Sequence, residues 1–367
     1  MYIRRAVAVT LWIVVLVGCL AGCAERAQSY SLFGLGSVLN VVDYSASDAL
    51  NNYAKTLIDK VQRAIDVTDD TSDVARFNAA ADEEPIAVGA LTYSLVQKAR
   101  AAYDLTDGLY DPTVYWTVDL WGFLPRKEGT SAPYDREQTE DGGYPMPDRR
   151  YVEAFLSLTD MRKIAATQGE DGTYYLTKHD SAVTVDGAIY YARLDLGGIA
   201  KGYVVDCIRT YCSEHGIGQG YMSFGSSSLL LLKNRKGAGW DLSLTHPRAA
   251  EDKPYYCTLP AMDVAVSTSG DYQNYYVLDG VRYSHLIDTR TGRPKHGELL
   301  SVTVLGGDAA IGDALSTALT VGGLDYLKAF AQSEYAKTNG LQFIAIYEEA
   351  EELQVFTTLK VDIQWNV

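Results

Sequence analysis

The segment Leu194-Asp195-Leu196-Gly197-Gly198-Ile199-Ala200-Lys201-Gly202-Tyr203 limits the folds open to this 367-residue chain more than any other. Arg193 to Leu196 reads as a strand. Two glycines break it, and a helix is expected from Lys201 to about Cys212. Such a junction gathers unpaired backbone N–H groups and the positive end of a helix dipole at one spot, and Lys201 adds a formal charge there. A phosphate is received in this way without a basic surface. The alternative is a tight connection that only turns the chain. No Gly-Lys-Ser/Thr follows, so this is not a Walker A loop, and the glycines lack the Gly-x-Gly-x-x-Gly spacing of dinucleotide folds.

Around this junction the chain alternates strand and helix patterns. Leu50, Tyr53, Leu57, Val61 and Ile65 predict an amphipathic helix opened by Ser45 or Ser47. Leu91, Leu95, Ala99 and Tyr103 predict a second, closed by Thr106-Asp107-Gly108. Phe33 to Val42 reads as a first strand carrying glycines. Ser227–Leu232, Trp240–Leu244, Ser301–Leu305 and Leu341–Tyr347 read as buried strands, and Asp308–Val321 as an Ala-rich helix. Pro125 to about Arg150 is polar and rich in turn residues, an insertion loop or else a boundary between lobes. The fold class expected is α/β (mixed α+β). A formal charge of −15 and the lack of a basic stripe argue against a nucleic-acid partner.

The first residues read as an address. Arg4 and Arg5 precede the uncharged apolar stretch Ala6–Leu20, too short for a confident membrane span. Leu20-Ala21-Gly22-Cys23 resembles a bacterial lipobox, in which the Cys23 thiol accepts a diacylglycerol; the competing reading is an ordinary signal peptide with an incidental cysteine. Residues 1–22 are then the signal and 23–29 a lipidated tether. The chain is held at the outer face of the bacterial cytoplasmic membrane, or in the periplasm, by the lipid alone. Cys207, Cys212 and Cys257 form no Cys-x-x-Cys pair and no cluster with histidine, so they are expected as thiols.

Chemistry could sit in four places. Thr106-Asp107-Gly108-Leu109-Tyr110-Asp111-Pro112-Thr113-Val114 could hold backbone groups around a flat ligand, or could simply turn. The Leu194–Tyr203 junction is the second. Val266-Ser267-Thr268-Ser269-Gly270-Asp271-Tyr272 and Tyr283-Ser284-His285-Leu286-Ile287-Asp288-Thr289-Arg290-Thr291-Gly292 form the third, with one of the chain's five histidines. A lone histidine is more often a surface or core residue, but Asp288, Arg290 and a turn glycine accompany this one. In the fourth, Asp308, Asp313, Ser316 and Thr317, the pair Asp313 and Thr317 shares a helix face. With a backbone carbonyl it offers hard oxygens to Mg²⁺, unless Thr317 back-bonds and Asp313 faces solvent. Gly220-Tyr221-Met222-Ser223-Phe224-Gly225 misses the serine-hydrolase elbow by one residue.

In this order and spacing the clusters resemble the FAD:protein FMN transferase (ApbE-like) family, from about Gly34 to Gly323; Arg76-Phe77-Asn78 and Leu120-Trp121-Gly122-Phe123 fit the same pattern. The resemblance implies a single catalytic unit over 30–367, made of two intimately packed lobes with the FAD/Mg²⁺ site between them. It implies transfer of the FMN half of FAD to a Thr or Ser hydroxyl of an exported or membrane flavoprotein, with AMP leaving. Mg²⁺ would be held by Asp313, Thr317 and the carbonyl of Gly198. Leu35, Leu109, Tyr110, Asp111, Asp195, Lys201 and the backbone of Ile287 would line the FAD site, and His285 would accept or position the acceptor's proton. Two positions depart from the pattern. Thr68 stands where the family often has a tyrosine, which could admit water and favour FAD pyrophosphatase activity giving FMN and AMP. Gly225-Ser226-Ser227 lacks a second usual glycine. A non-catalytic flavin-binding lipoprotein is the third reading.

Overall fold

The computed structural model describes residues 27–45, 47–139, 142–249 and 254–366. The signal segment and Cys23 lie outside them. The expected first strand is a hairpin: β1 (Gln28–Gly34) and β2 (Ser37–Asp43) pair antiparallel through the turn Leu35-Gly36. Both turn residues have positive φ (50° and 67°), the backbone that two-residue hairpins require. Leucine is a poor residue for it, which is why the sequence read straight through. Pairing begins at Gln28, inside the stretch expected as a tether.

The helices α1 (Ala49–Ile65), α2 (Asp73–Ala79) and α3 (Ala90–Leu105) follow. Asp48 occupies the cap position of α1, while Ser47 Oγ accepts from the Ala49 N–H at 3.1 Å. Between Leu120 and Arg149 the described residues contain no helix or strand. The glycines of the phosphate-type junction belong to the first turn of α4 (Gly197–Glu214), four residues earlier than expected.

The remaining long elements complete one sheet. β3 (Gly220–Phe224), β4 (Ser228–Leu231), β5 (Val264–Gly270), β6 (Leu299–Leu305), β7 (Gln342–Glu349) and β8 (Glu352–Thr357) join β1 and β2 in eight strands, ordered as in the chain and antiparallel throughout. Between β6 and β7 lies α5 (Ala309–Gly322), capped by Asp308, whose carboxylate accepts from the Ile311 N–H at 3.1 Å. The mixed α+β expectation is met. Alternation decides which face each strand residue serves. Leu230, Ala265, Val304, Phe343 and Ala345 pack toward the helices. Their neighbours Leu231, Val266, Leu305, Ile344 and Ile346 pack toward a small sheet of Trp240–Thr245, Tyr255–Ala261 and Gln364–Trp365. Cys212 and Cys257 are buried free thiols and Cys207 is a half-buried one.

Helices α4 and α5 approach most closely at Gly202. A Cβ there would stand 2.2 Å from the Ala309 carbonyl oxygen, and the Gly202 N–H donates to Asp313 at 2.7 Å. Gly202→Ala must therefore push the helices apart. We expect a loss of about 1–3 kcal/mol, read as a lowered midpoint in urea with unchanged slope; an unchanged midpoint would refute the tight contact.

Candidate functional site

One cavity of about 590 Å³ collects residues from nearly every motif. Leu35, Thr68, Leu109, Tyr110, Asp111, Asp195, Gly198, Lys201, His285, Ile287 and Thr317 all line it. Asp313 is not on its wall.

The Thr106–Val114 loop is tied down from within. Asp107 and Gly108 take positive φ, and the Thr106 hydroxyl accepts from the Tyr110 N–H at 3.1 Å. Asp111 is committed to this work: one oxygen accepts from the Thr113 N–H and hydroxyl, at 2.8 and 2.6 Å, and the other from the Met161 N–H at 3.2 Å. Burial raises its pKa to about 6 against these bonds. Asp111 thus shapes the wall rather than offering a free carboxylate. Leu109 and Tyr110 are nearly buried, and the Tyr110 ring covers Gly198, where a Cβ would lie 3.3 Å from it. Burial raises the Tyr110 phenol well above its ordinary value, and its oxygen has no hydrogen-bond partner among the described residues.

Residues 192–196 join no strand. Asn78 supplies what a neighbouring strand would: its Oδ1 accepts from the Leu194 N–H at 2.8 Å and its Nδ2 donates to the Leu194 carbonyl at 2.9 Å. The Asp195 N–H donates to the Pro112 carbonyl at 2.8 Å, joining this segment to the first loop. Asp195 accepts from the Gly197 N–H at 2.9 Å; burial raises its pKa, and the bond and Lys201 oppose the rise.

His285 stands at the base of a hairpin, Tyr275–Leu278 with Val281–Ser284, whose tip is Asp279-Gly280. Its backbone N–H and its Nδ1 both point to the Asn274 carbonyl, at 2.9 and 3.1 Å. A carbonyl only accepts, so Nδ1 carries the proton and Nε2 keeps its lone pair. The Thr289 hydroxyl donates to the Gly108 carbonyl at 2.8 Å and binds this region to the first loop. Sequence reading quoted Asn78 and Thr289 within motifs without giving them this work.

Asp313 is buried among donors: Gly202 N–H, Ser228 Oγ at 2.8 and 2.9 Å from its two oxygens, and Ser267 Oγ at 2.7 Å. The solvent-facing alternative is thus overturned. Burial raises its pKa, while Lys201 and the three donors oppose that. Thr317 Oγ1 lies 3.0 Å from Ser269 Oγ, and Ser316 Oγ donates to the Asp313 carbonyl at 2.9 Å. Asp308 serves elsewhere, as the cap of α5 and partner of Lys98. Ser228, read only as part of a buried strand, and Ser267, quoted in the third cluster without this role, are brought together on Asp313 by the register of their strands. Thr68 donates its hydroxyl to Asp66 at 2.7 Å. Ser226 has a φ of 56°, which explains why glycine suits the Gly225–Ser227 turn better.

The profile of the ApbE family matches residues 35–342. This chain belongs to the ApbE family. It is 31% identical over 333 residues to the FAD:protein FMN transferase of Vibrio cholerae serotype O1, covering 88% of this chain and 90% of that one. It is 26% identical over 318 residues to that of Escherichia coli K12, covering 86% and 81%. Among solved structures, the flavin transferase ApbE from Vibrio cholerae superposes with a TM-score of 0.70 at 27% identity, covering 90% and 97%. An ApbE protein from Thermotoga maritima gives 0.68 at 26% identity, covering 90% and 96%.

Burial lowers His285 to about 4, against a smaller opposing effect of the Asn274 bond. Between about 4 and the ordinary 6.5 the unfolded chain holds this proton and the folded chain does not, so His285 lowers stability as pH falls through that window. We expect His285→Asn to gain thermal stability relative to wild type as pH drops from 6.5 to 4. A constant difference would refute the buried neutral imidazole.

Proposed function

We propose that this protein is an enzyme that moves the FMN moiety of FAD onto a Thr or Ser hydroxyl of an acceptor flavoprotein and releases AMP. The convergence of the separate motifs on one cavity carries this reading, and membership of the ApbE family supports it. Leu109 and Tyr110 offer an apolar wall to a ring system, while Lys201 and the first turn of α4 offer positive charge to a pyrophosphate. The acceptor oxygen attacks the phosphorus of the FMN half. A P–O bond forms there, the pyrophosphate bond breaks, and AMP leaves with the bridging oxygen. His285 Nε2 receives the hydroxyl proton.

Mg²⁺ fits the donors present. Asp313, Thr317 and the Gly198 carbonyl are hard oxygens, and the partnerless Tyr110 phenol beside Gly198 marks a place built for further polar company. Ser267 Oγ also lies 3.3 Å from the Ala309 carbonyl, so its hydroxyl can turn there and free one Asp313 lone pair. When bound, the ion would neutralise pyrophosphate charge. Hydrolysis is the second reading: Thr68 is small, with its hydroxyl committed to Asp66, and leaves that stretch of the wall without an aromatic ring.

Lipid anchoring completes the proposal. Arg4, Arg5, the Ala6–Leu20 stretch and Leu20-Ala21-Gly22-Cys23 support a chain held through Cys23 at the outer face of the cytoplasmic membrane or in the periplasm. The mature form then begins with a diacylated Cys23; an intact-mass spectrum showing an unmodified amino terminus downstream of it would refute this.

The activity test uses the chain from Ala24 with FAD, Mg²⁺ and an exported flavoprotein domain. Flavin fluorescence on the denatured acceptor, matched by AMP and lost on chelation or in Asp313→Asn, is the expected result. AMP with free FMN and a dark acceptor would establish hydrolysis instead, and Thr68→Tyr should then restore transfer.

A further inference from the structure

Lys178 is an expensive residue that the proposed chemistry leaves unused. It ends the strand Tyr174–Lys178 and is fully buried. Among the described residues no carboxylate bonds to its amine. Nζ donates to the carbonyls of Ala80, at 2.7 Å, and Asn78, at 3.3 Å, and lies over the rings of Phe77 and Tyr191, 4.9 and 5.8 Å from their centres. Those carbonyls belong to the end of α2, and Asn78 is the residue whose amide grips Leu194 from both sides.

A chain of contacts therefore runs from a buried amine to the cavity. Lys178 holds the backbone carbonyls of Asn78 and Ala80; the Asn78 side chain fixes Leu194; the next residue, Asp195, bonds to Pro112 and Gly197; and Gly198 lies under Tyr110. Ala192, Leu194 and Leu196 are packed into the core, and with no sheet pairing at Leu194 and Asp195 these polar bonds set how the backbone between them is placed. Charge is a poor reason for a lysine here. Burial, with Arg193 nearby, brings its pKa down to about 7, and Asp82 and Glu84 only partly oppose this. An amine in either protonation state can still donate to two carbonyls.

We propose that Lys178 is a positioning residue for the FAD site, acting through Asn78 to hold the Leu194–Gly198 wall of the cavity in place. The inference rests on the reading that this cavity receives FAD.

The test measures FAD affinity by flavin fluorescence, and transfer at saturating FAD, in the chain from Ala24. Lys178→Met keeps the bulk and removes the donors. It should weaken FAD binding about tenfold while the rate at saturation changes less than about threefold. Hydrogen exchange at Leu194 and Asp195 should quicken while the amides of α1 keep their protection. Asn78→Ala breaks the second link alone, should show the same loss, and remains readable if Lys178→Met does not fold. Because the two act in series, the double variant should bind FAD no more weakly than Asn78→Ala. FAD affinity within about twofold of wild type in Asn78→Ala, or losses that multiply in the double variant, would overturn the proposal. Tyr110→Ala is the control for the underlying reading: if it leaves FAD affinity unchanged, the cavity assignment fails and not this relay.

Discussion

The buried carboxylate of Asp313 gathers hydrogen bonds from α4, β4 and β5 onto a residue of α5. Gly202 reaches it with a backbone N–H, and Ser228 and Ser267 reach it with hydroxyls. A lone buried carboxylate is costly, and these donors are what make this one tolerable. The bond from Gly202 requires the two helices to touch, which the missing Cβ allows. Close helix contact in turn lets the first turn of α4 and Thr317 of α5 face a common space. The cavity, its positive helix end and its hard oxygens all follow from that approach.

A second constraint works from the other side. The residues before α4 join no sheet, and their polar groups are met by the Asn78 side chain at Leu194 and by the Pro112 backbone carbonyl at Asp195. Thr289 then binds the histidine-bearing region to the Gly108 turn. Three segments far apart in the chain are thereby fixed to one another by polar bonds at their ends, while apolar packing holds the elements behind them.

Much of this was legible in the sequence. The periodic helices Ala49–Ile65 and Ala90–Leu105 and the buried strand runs follow from local pattern. Turns, glycines and charged side chains marked the separate clusters, but it was their resemblance to a known family that gathered them around one cavity. The failures share a cause. Leu35 was read as strand because its turn lacks the usual Asn-Gly pair. Arg193–Leu196 was read as strand because local pattern cannot show that the neighbour is a side chain from Asn78. Ser228 looked like an ordinary strand residue and Ser267 stood in a candidate cluster without a partner, and only the pairing of β4 with β5 puts the two side by side and both on Asp313. Asp111 does stand on the cavity wall, but that its oxygens are consumed within its own neighbourhood could not be read beforehand. Long-range pairing decides such matters, and it leaves no period in the chain.

That the central strands of the sheet are buried on both faces has an evolutionary consequence. Residues such as Leu230 and Leu231, or Ile344 and Ala345, each answer to a different core, so almost no strand position between β4 and β7 is free to vary in size. Novelty must enter at the ends of elements. Phe123, Leu124 and Pro125 stand on the cavity rim and lead into the irregular stretch before Arg149. Drift in that stretch can alter what the rim accepts while the carboxylate, the glycine contact and the helix end stay fixed, so specificity and chemistry are free to diverge on separate clocks.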